Sequence, residues 1–88
     1  MITKNEAVAT LNTLSIQADD CFVHYKTQET YQVITLAIGE ETQEPMVVYR
    51  GGDGTVWVRA YAIFTEFVLL NGVNVPRFSK LDKTGVKR

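Results

Sequence analysis

Asn71-Gly72, set between Leu70 and Val73, constrains this chain more than any other feature. A two-residue hairpin loop whose twist matches its strands needs positive φ at both central positions, and Asn followed by Gly adopts them at low cost. The dipeptide therefore predicts an antiparallel pair together with its register. With Leu70 opposite Val73, Val68 faces Val75, Phe67 faces Pro76 on the other face, and Glu66 faces Arg77. Arg77 thus acquires a carboxylate partner from register alone. Pro76 falls at a non-hydrogen-bonded position, where its missing amide costs no ladder bond, so the last strand is expected to be an edge there.

The same strand chemistry runs upstream. From Cys21 onward, segments rich in Val, Ile, Tyr and Phe alternate with short polar or glycine-containing turns, which predicts strands near 21–26, 30–38, 45–50, 55–60, 65–70 and 73–78. Tyr61-Ala62-Ile63-Phe64 reads as one helical turn between strands. A second hairpin joins 45–50 to 56–60 through Gly51-Gly52-Asp53-Gly54-Thr55. Placing Arg50 opposite Val56 sets Tyr49 across from Trp57 and Val48 across from Val58. Val47, Tyr49, Trp57 and Arg59 then share one face, and Met46, Val48, Val56 and Val58 the other. Four aliphatic side chains make the second face the expected core, leaving Tyr49, Trp57 and Arg59 for a groove or a second layer.

Residues 1–16 follow a different period. Ala7, Val8, Leu11 and Leu14 recur at helical spacing, and Thr3 with Glu6 forms a capping box, so a helix is expected over 1–16. One short apolar stripe does not hold a helix in water, which makes this segment a ready lid for the aromatic residues of the strands. Asp19-Asp20 marks a break after it. The organisation expected is an N-terminal helix and linker over 1–20, a small β domain over 21–79 and a flexible basic tail over 80–88, where Lys80, Lys83, Lys87 and Arg88 outnumber Asp82.

Composition narrows the function classes. With 88 residues and 45% hydrophobic content the chain builds one modest core and no second domain. A formal net charge of −1 supplies no basic stripe, which argues against nucleic acid and against an anionic membrane surface as partners. Cys21 is the lone cysteine, so neither an intramolecular disulfide nor a cysteine-rich zinc site is available. The opening residues lack the apolar core of a signal peptide, and no run approaches the ~20 apolar residues of a membrane span. A cytoplasmic protein is the expectation.

Three strings carry the chemistry: Val47-Val48-Tyr49-Arg50, Trp57-Val58-Arg59 and Val75-Pro76-Arg77-Phe78. Each sets an arginine beside an aromatic ring or near one, and only Arg88 lies outside them. Guanidinium groups flanked by rings bind anions, bases or carboxylates by stacking and forked hydrogen bonds. The candidate ligand-binding residues are therefore Tyr49, Arg50, Trp57, Arg59 and Arg77, with His24 and Tyr31 as secondary candidates.

Taken in order, these strings resemble the bacterial and phage family catalogued as domain of unknown function 1653. The matching run is His24-Tyr25-Lys26, Tyr31, Val33, Ala37, Thr42, Glu44, Val47-Val48-Tyr49-Arg50, Trp57-Val58-Arg59, Phe64, Gly72 and Val75-Pro76-Arg77-Phe78, spanning residues 24–78. The resemblance implies a compact β-rich module with no established activity. The fold expected is mainly β, a small SH3-like β-barrel of about five to six strands with one N-terminal α-helix. The chain departs from the family pattern at Gly39, where a histidine is frequent, and at Ala60, where proline is frequent. No catalytic role for that histidine transfers to this chain.

An enzyme is poorly supported. His24 is the single histidine, no H-E-x-x-H or carboxylate-rich metal spacing occurs, and Gly51-Gly52-Asp53-Gly54 lacks the lysine and hydroxyl of a phosphate loop. Cys21 and His24, three apart on a strand, point to opposite faces, which disfavours a thiol–imidazole pair. No catalytic residue, metal or cofactor is expected. Two readings stand. In the first, the chain binds a small anion, a nucleotide or a peptide on an aromatic and arginine groove. In the second, the motifs serve the fold, Arg50 and Arg59 pair with acids such as Glu44 or Asp53, and an edge strand with the helix docks on a protein partner or a second copy.

Overall fold

A computed structural model describes residues 14–82. The body of the helix expected over 1–16 and most of the basic tail lie outside the described residues. Strands β1 (Cys21–His24), β2 (Thr30–Ile38), β3 (Pro45–Gly51) and β4 (Val56–Ala60) lead into the single turn α1 (Tyr61–Phe64). Strands β5 (Phe67–Leu70), β6 (Val73–Pro76) and β7 (Phe78–Lys80) complete the order. β1 to β4 and β7 form one antiparallel sheet in the order β4-β3-β2-β1-β7, and β5 with β6 forms a separate two-stranded sheet. The fold is mainly β. Among the described residues, seven strands in two sheets stand where an SH3-like barrel of five to six strands was expected, and no ladder closes the larger sheet.

The extra strand arises at Arg77. Its amide donates to the Glu66 carbonyl at 3.0 Å while its own carbonyl accepts from the Tyr25 amide at 2.9 Å. The strand expected over 73–78 therefore changes partners at this residue, leaving β5 and joining β1. Pro76, just before the switch, lies on an edge strand of the two-stranded sheet, where no further strand requires its missing amide.

Both predicted hairpin registers hold. Leu70 faces Val73, Val68 faces Val75 and Phe67 faces Pro76, with φ of 52° at Asn71 and 80° at Gly72. Across β3 and β4, Arg50 faces Val56, Tyr49 faces Trp57 and Val47 faces Arg59. The choice of inner face on this hairpin is the reverse of the expectation. Val47 and Tyr49 are 0% and 4% exposed, whereas Val58 is 61% exposed.

Ring packing accounts for the reversal. The core comprises Ile16, Phe22, Val33, Val47, Tyr49, Phe64 and Phe78. Phe64 stacks on Phe78 with centroids 4.1 Å apart and meets Phe22 and Tyr49 edge to face. Tyr49 also meets Phe78 and Tyr31 edge to face. Burying these large rings together removes more apolar area from water than burying the opposite row of valines. α1 exists to deliver Phe64 to this cluster, since the short turn carries no side-chain cap and buries that residue alone.

An irregularity in β2 fits the long strand to the core. Val33 pairs with Tyr49 but Thr35 pairs with Val48, leaving Ile34 as the extra residue of a β-bulge. The bulge switches inward parity, so Tyr31 and Val33 face the core before it and Leu36 packs there after it. Among the described residues, no helix is long and apolar enough to cross a membrane.

Candidate ligand-binding site

The ring cluster ends in an open rim rather than a sealed wall. Trp57 and Arg59 lie on the core face of β4, opposite Tyr49 and Val47, but β4 is an edge strand, which leaves Trp57 exposed and Arg59 half-buried. Trp57 is 51% exposed. A cavity of about 170 Å³ opens there, lined by His24, Tyr31, Tyr49, Trp57, Arg59 and Phe78 with Thr27 at its edge. A second, of about 430 Å³, shares Tyr31 and Trp57 with it and continues past Glu29, Gly51, Gly52 and Asp53.

Each lining side chain is placed by local chemistry. His24 ends β1, and its ring meets Phe78 of the neighbouring strand edge to face at 5.1 Å. Its Nδ1 accepts from the amides of Lys26 at 3.2 Å and Thr27 at 3.4 Å, which puts the proton of the neutral ring on Nε2. Its pKa is held below the usual histidine value, first by burial and then by the positive charges of Arg59 and Arg77. Tyr31 donates its hydroxyl to Glu29 Oε2 at 3.0 Å. Burial and that bond to a carboxylate both push the Tyr31 phenol above its ordinary pKa.

The smaller cavity has a positive character. Arg59 makes no ion pair among the described residues, and its cross-strand neighbour is the uncharged Val47. Asp53 Oδ1 accepts from the Thr55 amide at 2.9 Å, closing the turn between β3 and β4. An arginine, an imidazole and an exposed indole at one open concavity can receive an anionic group and stack a planar one.

Of the residues nominated from sequence, the structure brings together Tyr49, Trp57 and Arg59 with the secondary candidates His24 and Tyr31. Arg50 and Arg77 do not join them. Arg50 lies next to Tyr49 in the strand and so points to the opposite face, where it lines a shallow depression with Cys21 and Gln32. Arg77 is ion-paired with Glu66, as the hairpin register predicts, and lines neither cavity. Cys21 and His24 line different depressions. Among the described residues no cluster of His, Cys, Asp and Glu suits a metal ion. Glu29, Thr27 and Asp53 were missed as lining residues because they come from turns, whose approach to Trp57 depends on how strands stack side by side.

The family described as "Protein of unknown function (DUF1653)" matches residues 20–80. The chain belongs to this family. The DUF1653 segment begins just before β1 and ends with β7, so it contains both sheets and every lining residue named above. No curated protein and no solved structure matches the chain.

Proposed function

We propose that the chain is a small binding module that receives an anionic small molecule, a nucleotide or a peptide carboxylate at the cavity formed by His24, Tyr31, Tyr49, Trp57 and Arg59. The observation that carries this reading is an Arg59 without an ion pair among the described residues beside a half-exposed Trp57 on the core face of an edge strand. A tryptophan serving only the fold is normally covered, and Arg59 faces no acid across the strand, whereas Arg77 is paired with Glu66. Arg50 and Arg77 drop out of the proposed site. The larger sheet is read as an opened SH3-like barrel over 21–79. Its meander from β1 to β4 with β7 returning beside β1, and the bulge at Ile34, support that form. The lone thiol of Cys21 suits a reducing cytoplasm.

The test is a titration of the isotope-labelled full chain with sulfate and with a nucleotide panel, read by amide and indole NMR shifts. Saturable shifts at His24, Trp57 and Arg59 that vanish in a folded Arg59→Ala variant are expected. A folded wild-type chain that responds to none of these anions overturns the reading.

A second reading has its own observation. Val56 and Val58 on the outer face of β4, and Phe67, Leu69 and Val73 on the β5–β6 hairpin, are all exposed. Apolar side chains along an edge strand and a detached hairpin suit docking on a protein partner or a second copy. Sedimentation of the full chain across concentration distinguishes self-association from a monomer.

A further inference from the structure

The two adjoining cavities differ in charge. The smaller holds Arg59 and His24; the larger has no lysine or arginine in its lining and carries the carboxylates of Glu29 and Asp53. Neither carboxylate makes an ion pair among the described residues. The amide and hydroxyl of Thr55 hold Asp53 below the usual carboxylate range, so it is ionised at neutral pH. Glu29 uses Oε2 for Tyr31 and keeps Oε1 for another donor.

Aromatic surface accompanies these charges. Tyr31 and Trp57 line the larger cavity as well as the smaller one. Gly51 fixes one side of it: a Cβ there would stand 3.2 Å from Tyr31 Cε1 and 3.4 Å from Asp53 Oδ1. The bare backbone lets the Tyr31 ring and the Asp53 carboxylate close on the same spot. Hard cations such as Ca²⁺ or Mg²⁺ need six or more oxygens or retained water, which two carboxylates beside rings do not provide. A weakly hydrated organic cation gains from both carboxylate charge and the negative faces of Trp and Tyr.

We propose that the larger cavity receives an organic cation, an alkylated ammonium or a guanidinium group, between Glu29, Asp53 and the indole of Trp57. The ligand of the whole site is then zwitterionic, with its anionic group on Arg59; this second half rests on the anion-binding reading above. Trp57, shared by both cavities, is the wall between the two charges.

The experiment titrates the full chain with choline and methylguanidinium as cation probes and with sulfate as the anion probe. Phosphocholine and Nα-acetylarginine, which carry both charges at different separations, complete the set. Choline or methylguanidinium is expected to shift the Trp57 indole and the Gly51, Gly52 and Asp53 amides at millimolar concentration. Glu29→Gln and Asp53→Asn keep the oxygens that accept from Tyr31 and Thr55, so the fold stays intact, and each is expected to weaken cation binding about two- to fivefold. Trp57→Ala weakens it about tenfold. Arg59→Ala, which removes a positive charge beside the cavity, is not expected to weaken it. One of the two zwitterions is expected to bind at least about tenfold more tightly than the matching cation, since the second contact is intramolecular.

Sulfate binding that depends on Arg59, with both cations silent, overturns the cation site and leaves the anion site standing. Cation binding with sulfate silent upholds the cation site and overturns the anion-binding reading, and with it the zwitterion. Silence from every probe overturns both.

Discussion

The two hairpins of this molecule share a strand chemistry and end in different roles for their arginines. In β5–β6, Arg77 faces Glu66 across the base of the hairpin and is ion-paired with it. In β3–β4, Arg59 faces Val47, which carries no charge and is fully buried. The residue across the strand, rather than the neighbouring aromatic, decides whether an arginine finds an ion-pair partner within its hairpin. Neighbouring rings mislead because adjacent residues in a strand point to opposite faces, as Tyr49 and Arg50 do.

The largest effect comes from breaking what joins the two hairpins. Phe64 is 1% exposed and stacks on Phe78, so Phe64→Ala is expected to cost about 3–5 kcal/mol in chemical denaturation. A loss below that of an ordinary surface substitution would deny the ring cluster its central place.

Next is the arginine contrast itself. Arg77→Ala strands a half-buried Glu66 and is expected to cost about 1–2 kcal/mol, between the values of exposed and buried pairs. Arg59→Ala is expected to stay within about 0.5 kcal/mol of the parent, since it removes no ion pair made among the described residues. A double-mutant cycle sharpens this. Coupling should appear between Glu66 and Arg77 and be absent between Val47 and Arg59. Equal losses from the two arginine variants would erase the distinction.

Asn71→Ala is expected to cost about 1 kcal/mol, because alanine resists the positive φ that this turn requires. The matching change Asp53→Ala in the longer glycine loop should cost less in thermal unfolding, since it removes a bond to Thr55 on a fully exposed turn.

The smallest effect is in pH. The folded pKa of His24 lies below its unfolded value near 6.5, so the unfolded chain binds the proton more readily. Stability is therefore full above pH 6.5 and falls as pH drops through that value towards the folded pKa. A His24→Gln variant should lose this part of the slope. An anion in the smaller cavity favours the charged ring, so sulfate affinity should rise over the same downward pH interval and stay flat in the variant.

Much of the fold was legible without coordinates. Asn71-Gly72 announces its hairpin and thereby the Glu66–Arg77 pair, and placing Arg50 opposite Val56 across the glycine loop gives the observed register of β3 on β4. The turn at 61–64 was readable too. The inner face of β3–β4 was not: counting aliphatic residues favours the valine row, whereas the core is built on Tyr49 because Phe64 and Phe78 arrive on that side. The candidate site was half legible. Tyr49, Trp57, Arg59, His24 and Tyr31 stand in recognisable strings, but removing Arg50 and Arg77 and adding Glu29 and Asp53 required knowing faces and neighbours.

The sequence by itself determined the strand content, two turn geometries, two registers and the family, because turn φ values and period-2 alternation are local properties of the chain. Tertiary structure alone decided which face of each hairpin meets the core, where the last strand changes sheets, and which charges beside Trp57 lack an ion pair among the described residues. Those outcomes depend on contacts between residues far apart in the chain. The inner face of β3–β4, for one, follows the ring cluster around Phe64 and Phe78, which gathers the largest apolar surfaces in one place.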